Sequence, residues 1–136
     1  MADNRIVLYN FSLKPGHSIG VKGFIPEGCK GFAINLGKDN KNFVLYFNPR
    51  LDHVDGDKNR LVLNSLEDGV WGAEQRESFF PFHEGSDTMA CFKFEQDKIT
   101  IQLPCRDPFS FQVRFPIEEI SYLSLISLQL KSITLK

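Results

Sequence analysis

The sequence has little that would place the chain in a membrane, among nucleic-acid-binding proteins or in a disulfide-rich secreted class. Its three cysteines, Cys29, Cys91 and Cys105, are odd in number and widely spaced, without a CxxC or a Cys/His cluster. Sixteen basic and 17 acidic residues give a net charge of −1, and neither sign forms a run. We therefore expect free thiols, and no electrostatic attraction to nucleic acid.

Long apolar runs are also missing. Stretches such as "FVLYF" fall far short of the ~20 residues that cross a bilayer. The first ten residues, "MADNRIVLYN", lack the basic and apolar regions of a signal peptide. The sequence therefore predicts no membrane insertion and synthesis in the cytosol.

Motifs that bind phosphates, metals or activated nucleophiles are absent as well. There is no GxGxxG, no GxxxxGK[ST] and no GxSxG. The three histidines lie far apart, and the loop "DHVDGD" lacks the spacing and following glutamate of a calcium loop. We expect no cofactor and no metal.

What the sequence does contain is period-two alternation of apolar and polar residues, broken by turns rich in Gly, Pro, Asn and Asp. Ten or so short segments of this kind and 13 phenylalanines predict an all-β fold, a two-sheet antiparallel β-sandwich. Its 136 residues correspond to one domain, 1–136.

Two segments carry specific expectations. The alternation in "FVLYFNPR" predicts that Phe43, Leu45 and Phe47 enter the core. The tail "SLISLQLKSITLK" predicts one last strand, and its alternation slips near Lys131.

A set of polar and aromatic residues lies on alternate strand positions. Tyr46, Asn48 and Arg50 share one face, because side chains two residues apart point to the same side of a sheet. Two further pairs share a face in the same way, Val62 with Asn64 and Glu74 with Arg76. Trp71 lies between the two pairs in the sequence.

Such a set suits a sugar, since amide, guanidinium and carboxylate groups bind hydroxyls and an indole packs on C–H groups. The alternative is a buried Trp71 with ordinary polar surface around it, and the residues alone leave both open. A glycosidase needs two converging carboxylates, but Glu74 and Glu77 are three apart and point to opposite faces of a strand. We therefore expect binding without catalysis.

The stretches "FNPR", "RLVLNS" and "WGAEQRESFFPF" together resemble the galectin signature, which is spread over adjacent strands. "LKPGHSIGVKG" and "FAINLGKD" are similar to earlier strands of that family, so the resemblance covers nearly the whole chain. It implies a jelly-roll sandwich of a five-stranded and a six-stranded sheet, with a β-galactoside on the concave face. It also implies a cytosolic protein exported by a leaderless route.

The resemblance assigns roles residue by residue. Asn48 and Arg50 match the family's H-x-N-x-R motif, which binds the galactose 4-hydroxyl and ring oxygen. Asn64 matches the residue that binds the 6-hydroxyl, and Trp71 the ring under galactose. Val62 matches the aliphatic neighbour of the tryptophan, on the strand before it. Glu74 and Arg76 match a charged pair that orders the site and reaches the second sugar.

Two positions depart from the family pattern. Tyr46 stands where the motif has histidine, and its hydroxyl lies farther from the backbone than an imidazole nitrogen, so it either crowds the pocket or points past it. The loop "LDHVDGD" is about one residue longer than usual. In this loop, the histidine that the family often places beside galactose is either displaced to His53 or replaced by Asp55.

The main hypothesis is a prototype galectin, a single carbohydrate-recognition domain that binds galactose-containing glycans and glycoproteins and crosslinks them as a homodimer through its terminal strands. The alternatives are a galectin-related protein that binds another sugar, such as a mannoside, and one that serves as a structural or protein-interaction module. The Tyr46 departure is the reason to keep them.

Overall fold

The chain is all-β, as predicted. The computed structural model describes residues 5–104 and 106–136, so Cys105 lies outside the described residues. Every strand pair is antiparallel. The strands are β1 Arg5–Leu13, β2 Ser18–Ile25, β3 Ala33–Asp39, β4 Asn42–Asp52, β5 Lys58–Glu67, β6 Val70–Trp71, β7 Gln75–Glu77, β8 Ser86–Phe94, β9 Lys98–Gln102, β10 Phe109–Gln112, β11 Ile120–Ile126 and β12 Gln129–Leu135.

The strands form a seven-stranded sheet and a five-stranded sheet. The first has the order β1-β11-β3-β4-β5-β6, with β7 also paired to β5, and the second the order β10-β9-β8-β2-β12. The resemblance implied six strands in the larger sheet. That sheet is indeed six strands wide, because β6 and β7 follow one another along the same side of β5.

The core lies between the sheets and is built from alternate residues, as the periodicity predicts. In β2, Ile19, Val21 and Ile25 are buried, and Leu61 and Leu63 of β5 belong to the same cluster. Burying such a side chain contributes about 1.5–3 kcal/mol. The residues of β4 and β5 that alternate with the core residues therefore point to the outer face of the seven-stranded sheet.

A β-bulge in β4 makes one prediction wrong. Between Phe43 and Tyr46 β4 advances three residues, whereas β5 advances two, from Leu66 to Asn64. The extra residue changes the phase of the alternation. Phe43 therefore lies on the outer face with Leu66, and Val44 takes its place in the core.

The C-terminal tail contains parts of two strands, β11 and β12, where one was predicted. Ser127, with φ of 64°, lies in the turn between them. The slip near Lys131 is real: the pairing with β2 shifts register between Leu130 and Ser132. Within the ranges described, no helix is long and apolar enough to span a bilayer.

Candidate functional site

The predicted residues of β4 and β5 come together on the outer face of the seven-stranded sheet. In the register of the two strands Tyr46 is opposite Asn64, and Asn48 is opposite Val62. The next strand, β7, places Arg76 beside Val62. Adjacent strands lie about 4.8 Å apart, so Tyr46, Asn48, Asn64 and Arg76 form one polar surface around Val62.

Asn48 is the centre of this surface and is only 5% exposed. Its Nδ2 donates to the carbonyl of Phe32 over 2.8 Å. Its Oδ1 accepts hydrogen bonds from Tyr46 Oη at 3.0 Å and from Arg50 Nε at 2.8 Å. The amide orientation is therefore fixed, with one N–H of Nδ2 left for a ligand.

Arg50 is held by three carboxylates. Its Nη1 donates to Asp55 Oδ2 at 2.9 Å and to Asp57 Oδ2 at 2.7 Å, and its Nη2 lies 3.6 Å from Glu74 Oε2. Burial opposes the charged form, but hydrogen bonding to Asp57 and attraction to Asp55 outweigh it and raise the pKa of Arg50. The guanidinium remains charged, with Nη2 the nitrogen least engaged among the described contacts.

Asp57 links the two arginines of the site, and the sequence analysis missed it. Arg76 binds it through both terminal nitrogens, at 3.0 and 3.1 Å, while Arg50 binds the same carboxylate. Hydrogen bonds from Arg76 and then Arg50 lower the pKa of Asp57 to about 2. "DHVDGD" offered three equivalent carboxylates, and the sequence contained no signal to prefer this one.

Glu74 and Arg76 pair as their shared face predicted. Arg76 Nε donates to Glu74 Oε1 at 3.1 Å, and Nη2 lies 3.0 Å from the same oxygen. The hydrogen bonds that Arg76 donates to Asp57 and to Glu74 raise the pKa of Arg76. Both side chains are about 40% exposed, so each has room to contact a ligand.

Tyr46 is half-buried and points into the site. Its hydroxyl donates to Asn48 Oδ1, which leaves the lone pairs of Oη free to accept. Burial raises the pKa of Tyr46, so the phenol stays neutral at physiological pH. Its ring meets Trp71 edge-on at 4.7 Å between centroids.

Trp71 is exposed to 50%, which excludes the alternative of a buried tryptophan. Behind it, Phe43 lies at 6.3 Å edge-on, and Phe43 stacks on Tyr122 at 6.0 Å. This aromatic row orients the indole and leaves apolar surface open beside the polar groups. Such an arrangement suits a ligand with both hydroxyls and a C–H face.

Asn64 is also held by a residue that the sequence analysis missed. Its Oδ1 accepts from the backbone N–H of Ser65 at 2.7 Å and from Arg114 Nη1 at 3.1 Å. Arg114 is 50 residues away in the sequence, and no local pattern connects the two.

The other predicted residues have different positions. Val62 is completely buried although it lies outside the core cluster, and in the register of the sheet it lies between Asn48 and Arg76. Of the two loop candidates, Asp55 contacts Arg50, whereas His53 contacts Asp55 through Nδ1 at 2.7 Å. Hydrogen bonding from His53 is the main cause that lowers the pKa of Asp55.

The arrangement is suited to binding. It presents fixed N–H donors, a neutral hydroxyl acceptor and a half-exposed indole ring. Among the residues described, no group of three or more His, Cys, Asp or Glu side chains is placed to hold a metal ion. The carboxylates of the site are all engaged by arginines.

Comparison with known proteins finds similar chains of one family. A family model described as galactoside-binding lectin matches residues 6–135. Galectin-1 of Rhinella arenarum is 50% identical over 95% of this chain and 96% of its own length.

Two solved structures extend the comparison. Toad ovary galectin in complex with thio-digalactose has a TM-score of 0.94 and 48% identity, covering 97% of this chain and 98% of that one. CG-16, a homodimeric agglutinin from chicken liver, has a TM-score of 0.92 and 36% identity, covering 98% of this chain and 100% of that one.

Proposed function

The chain belongs to the galactoside-binding lectin family, and from that premise we propose that it binds β-galactosides of the lactose and N-acetyllactosamine type, without catalysis, on the outer face of the seven-stranded sheet. The observation that carries the proposal is the fixed network of Asn48, Arg50 and Asp57 next to the half-exposed Trp71. We propose one carbohydrate-recognition domain for the whole chain, 1–136.

The proposed roles follow the chemistry of each group. The indole of Trp71 packs on the apolar face of galactose. Asn48 and Arg50 donate to the 4-hydroxyl and the ring oxygen, and Asn64 donates to the 6-hydroxyl. Glu74 and Arg76 reach the second sugar, and their mutual ion pair supports this role by fixing both side chains before the ligand arrives.

Tyr46 is proposed as a working member of the site rather than a defect. With its proton donated to Asn48, the phenol oxygen can accept a hydrogen bond from the axial 4-hydroxyl. The same contact keeps the ring from pointing past the pocket. We propose that the tyrosine takes over the acceptor role of the histidine at this motif position.

A different sugar is the second candidate, and the packing of Tyr46 against Trp71 is the observation behind it. The ring occupies space beside the indole, which favours sugars that fit a narrower cleft. A glycan array that includes mannosides distinguishes the candidates. A structural or protein-interaction role without sugar binding would give no glycan signal at all.

Calorimetry with lactose and cellobiose tests the main proposal. The non-reducing sugars of these disaccharides differ at C4 alone, so the comparison isolates recognition of the axial hydroxyl. We expect measurable heat with millimolar lactose, matched by a change in Trp71 fluorescence, and at least tenfold weaker binding of cellobiose. Absence of heat with lactose, or equal binding of both sugars, would contradict the proposal.

Crosslinking as a homodimer is proposed through the edge strands β1 and β12. Half-buried apolar side chains of these two edge strands pack against the core: Ile6 and Leu8, with Leu130 and Ile133. The chicken liver agglutinin of the same fold is homodimeric, and a two-fold pairing would cover these residues.

We further propose cytosolic residence with export by a leaderless route. The free thiols of Cys29 and Cys91 support a reducing compartment. Fractionation of expressing cells and their medium measures both the cytosolic and the exported protein, with a signal-peptide-dependent protein as control.

A further inference from the structure

The strand next to β5 is interrupted on the side of the site. β6 pairs with Leu66 and Glu67, and β7 pairs with Leu61–Leu63. Asn64 and Ser65 face the gap between them. Arg114, which follows β10, fills it: its Nη1 lies 3.1 Å from Asn64 Oδ1 and 3.1 Å from Ser65 Oγ.

The guanidinium of Arg114 is held on two further sides. Its Cζ lies 4.5 Å from the centroid of the buried Phe111 ring, a cation–π contact. A Cβ on Gly72 would lie 2.7 Å from Arg114 Nη1, so the glycine leaves the room that the guanidinium needs. These contacts favour the position of the guanidinium beside Asn64.

This position determines which way the Asn64 amide points. Its Oδ1 already accepts two hydrogen bonds, from the backbone N–H of Ser65 and from Arg114. A flipped amide would turn its NH₂ group toward two donors and lose both bonds. Within the described ranges Nδ2 makes no hydrogen bond, so the side chain offers a ligand donors only.

We propose that Arg114 is a positioning residue, which fixes the Asn64 amide so that the site selects sugars whose C6 carries a hydrogen-bond acceptor. The inference rests on the proposed function for the identity of the ligand. It adds a residue outside the recognised motif and a rule for the C6 position: an acceptor is required there, and a group that can only donate is rejected.

The first readout is discrimination between lactose and its analogue without the galactose 6-hydroxyl. The wild type should prefer lactose by about tenfold. Arg114→Met keeps an unbranched apolar side chain but removes the guanidinium, and should reduce that preference to about twofold or less. Gly72→Ala should reduce it in the same direction, because the added Cβ would lie 2.7 Å from Arg114 Nη1, 2.9 Å from Ser65 Oγ and 3.3 Å from Asn64 Oδ1.

The second readout needs no sugar. In the free protein, ¹⁵N relaxation of the Asn64 side-chain amide should report a rigid group in the wild type and a mobile one in Arg114→Met. Arg114→Lys, which keeps a charge and a donor, should restore part of the rigidity and part of the preference. Arg106→Met is the matched control, because Arg106 also stacks on a phenylalanine, Phe79, but away from the site.

The outcomes separate the two proposals. A wild type that binds no lactose refutes the proposed function, and the Asn64 relaxation still decides whether Arg114 fixes the amide. Normal lactose binding, with amide rigidity and the C6 preference both unchanged in Arg114→Met, would overturn the role of Arg114. Unaltered melting temperatures exclude a loss of fold as the cause.

Discussion

At the scale of single residues, Tyr46 is the member of the proposed site whose role is the least expected. The sequence left open whether the phenol crowds the pocket or points past it. In the structure its hydroxyl donates to Asn48 and its ring meets Trp71 edge-on. The surrounding side chains accommodate the phenol through specific contacts.

Removing only the hydroxyl tests this account. Tyr46→Phe should lower lactose affinity about tenfold, because Asn48 loses a donor and the sugar loses an acceptor. Tyr46→His should give no gain over the wild type. Calorimetry measures both, and a tenfold gain for the histidine variant would mean that the tyrosine is a defect after all.

Asp57 is the second decisive residue, and its effect depends on pH. Its folded-state pKa of about 2 lies below the ordinary 3.8, so folding favours the ionised form. The resulting stabilisation is complete above about pH 4 and is lost as the pH falls through about 2.

Asp57→Asn should therefore melt at a lower temperature than the wild type, by an amount that is constant from pH 7 to about 4 and disappears near pH 2. It should also weaken lactose binding at pH 7, because Arg50 and Arg76 lose their shared anchor. Asp52→Asn is the control, since Asp52 forms only an exposed ion pair with Lys30. A pH-independent difference would contradict the assignment.

At the scale of elements, the bulge in β4 produces the aromatic row behind Trp71. β3 and β4 also shift register at Gly37, which pairs with Phe43. A Cβ on Gly37 would lie 2.0 Å from the carbonyl oxygen of Asn42 and 2.8 Å from Phe43 Cα. Only glycine allows the two strands to approach so closely.

Gly37→Ala should therefore destabilise the protein by at least about 2 kcal/mol, because the clash is with backbone that cannot turn away. Urea unfolding measures the change. Gly20→Ala is the matched control: its nearest neighbour is the side-chain sulfur of Cys91, at 3.3 Å. If the two variants lost equal stability, close strand approach at Gly37 would not be the cause.

The elements also explain what the sequence predicted and what it missed. Period-two alternation placed Tyr46, Asn48 and Arg50 on one face, because that face follows from spacing alone. It predicted wrongly that Phe43 enters the core. The bulge that moves Phe43 to the outer face depends on the pairing with the neighbouring strand, and alternation within one strand does not describe that pairing. Arg114 was missed because its contact with Asn64 forms across 50 residues of chain.

At the scale of the whole molecule, β1 and β12 are each an edge strand of one of the two sheets. The proposed dimer pairs these edges. The segment Arg5–Leu13 was not predicted as a strand, but it forms the edge on which such pairing depends. Crosslinking of glycans requires two sites, so the assembly state bears directly on function.

A charge on this edge should separate the protomers. Ile133→Lys should sediment as a monomer and lose agglutinating activity, because the lysine cannot be buried without a partner, while lactose affinity per chain stays within about twofold. Gln112→Lys is the control, because Gln112 is exposed and lies on β10, the opposite edge strand of the five-stranded sheet. A wild type that sediments as a monomer would refute the dimer.

The central claim is that a β-galactoside occupies the outer face of the seven-stranded sheet. Titration of ¹⁵N-labelled protein with lactose, followed by NMR, reports binding and its location together. We expect shifts concentrated at the Trp71 indole N–H and at the side chains of Asn48, Arg50 and Asn64. No shifts at millimolar lactose, or shifts confined to the five-stranded sheet, would contradict the account.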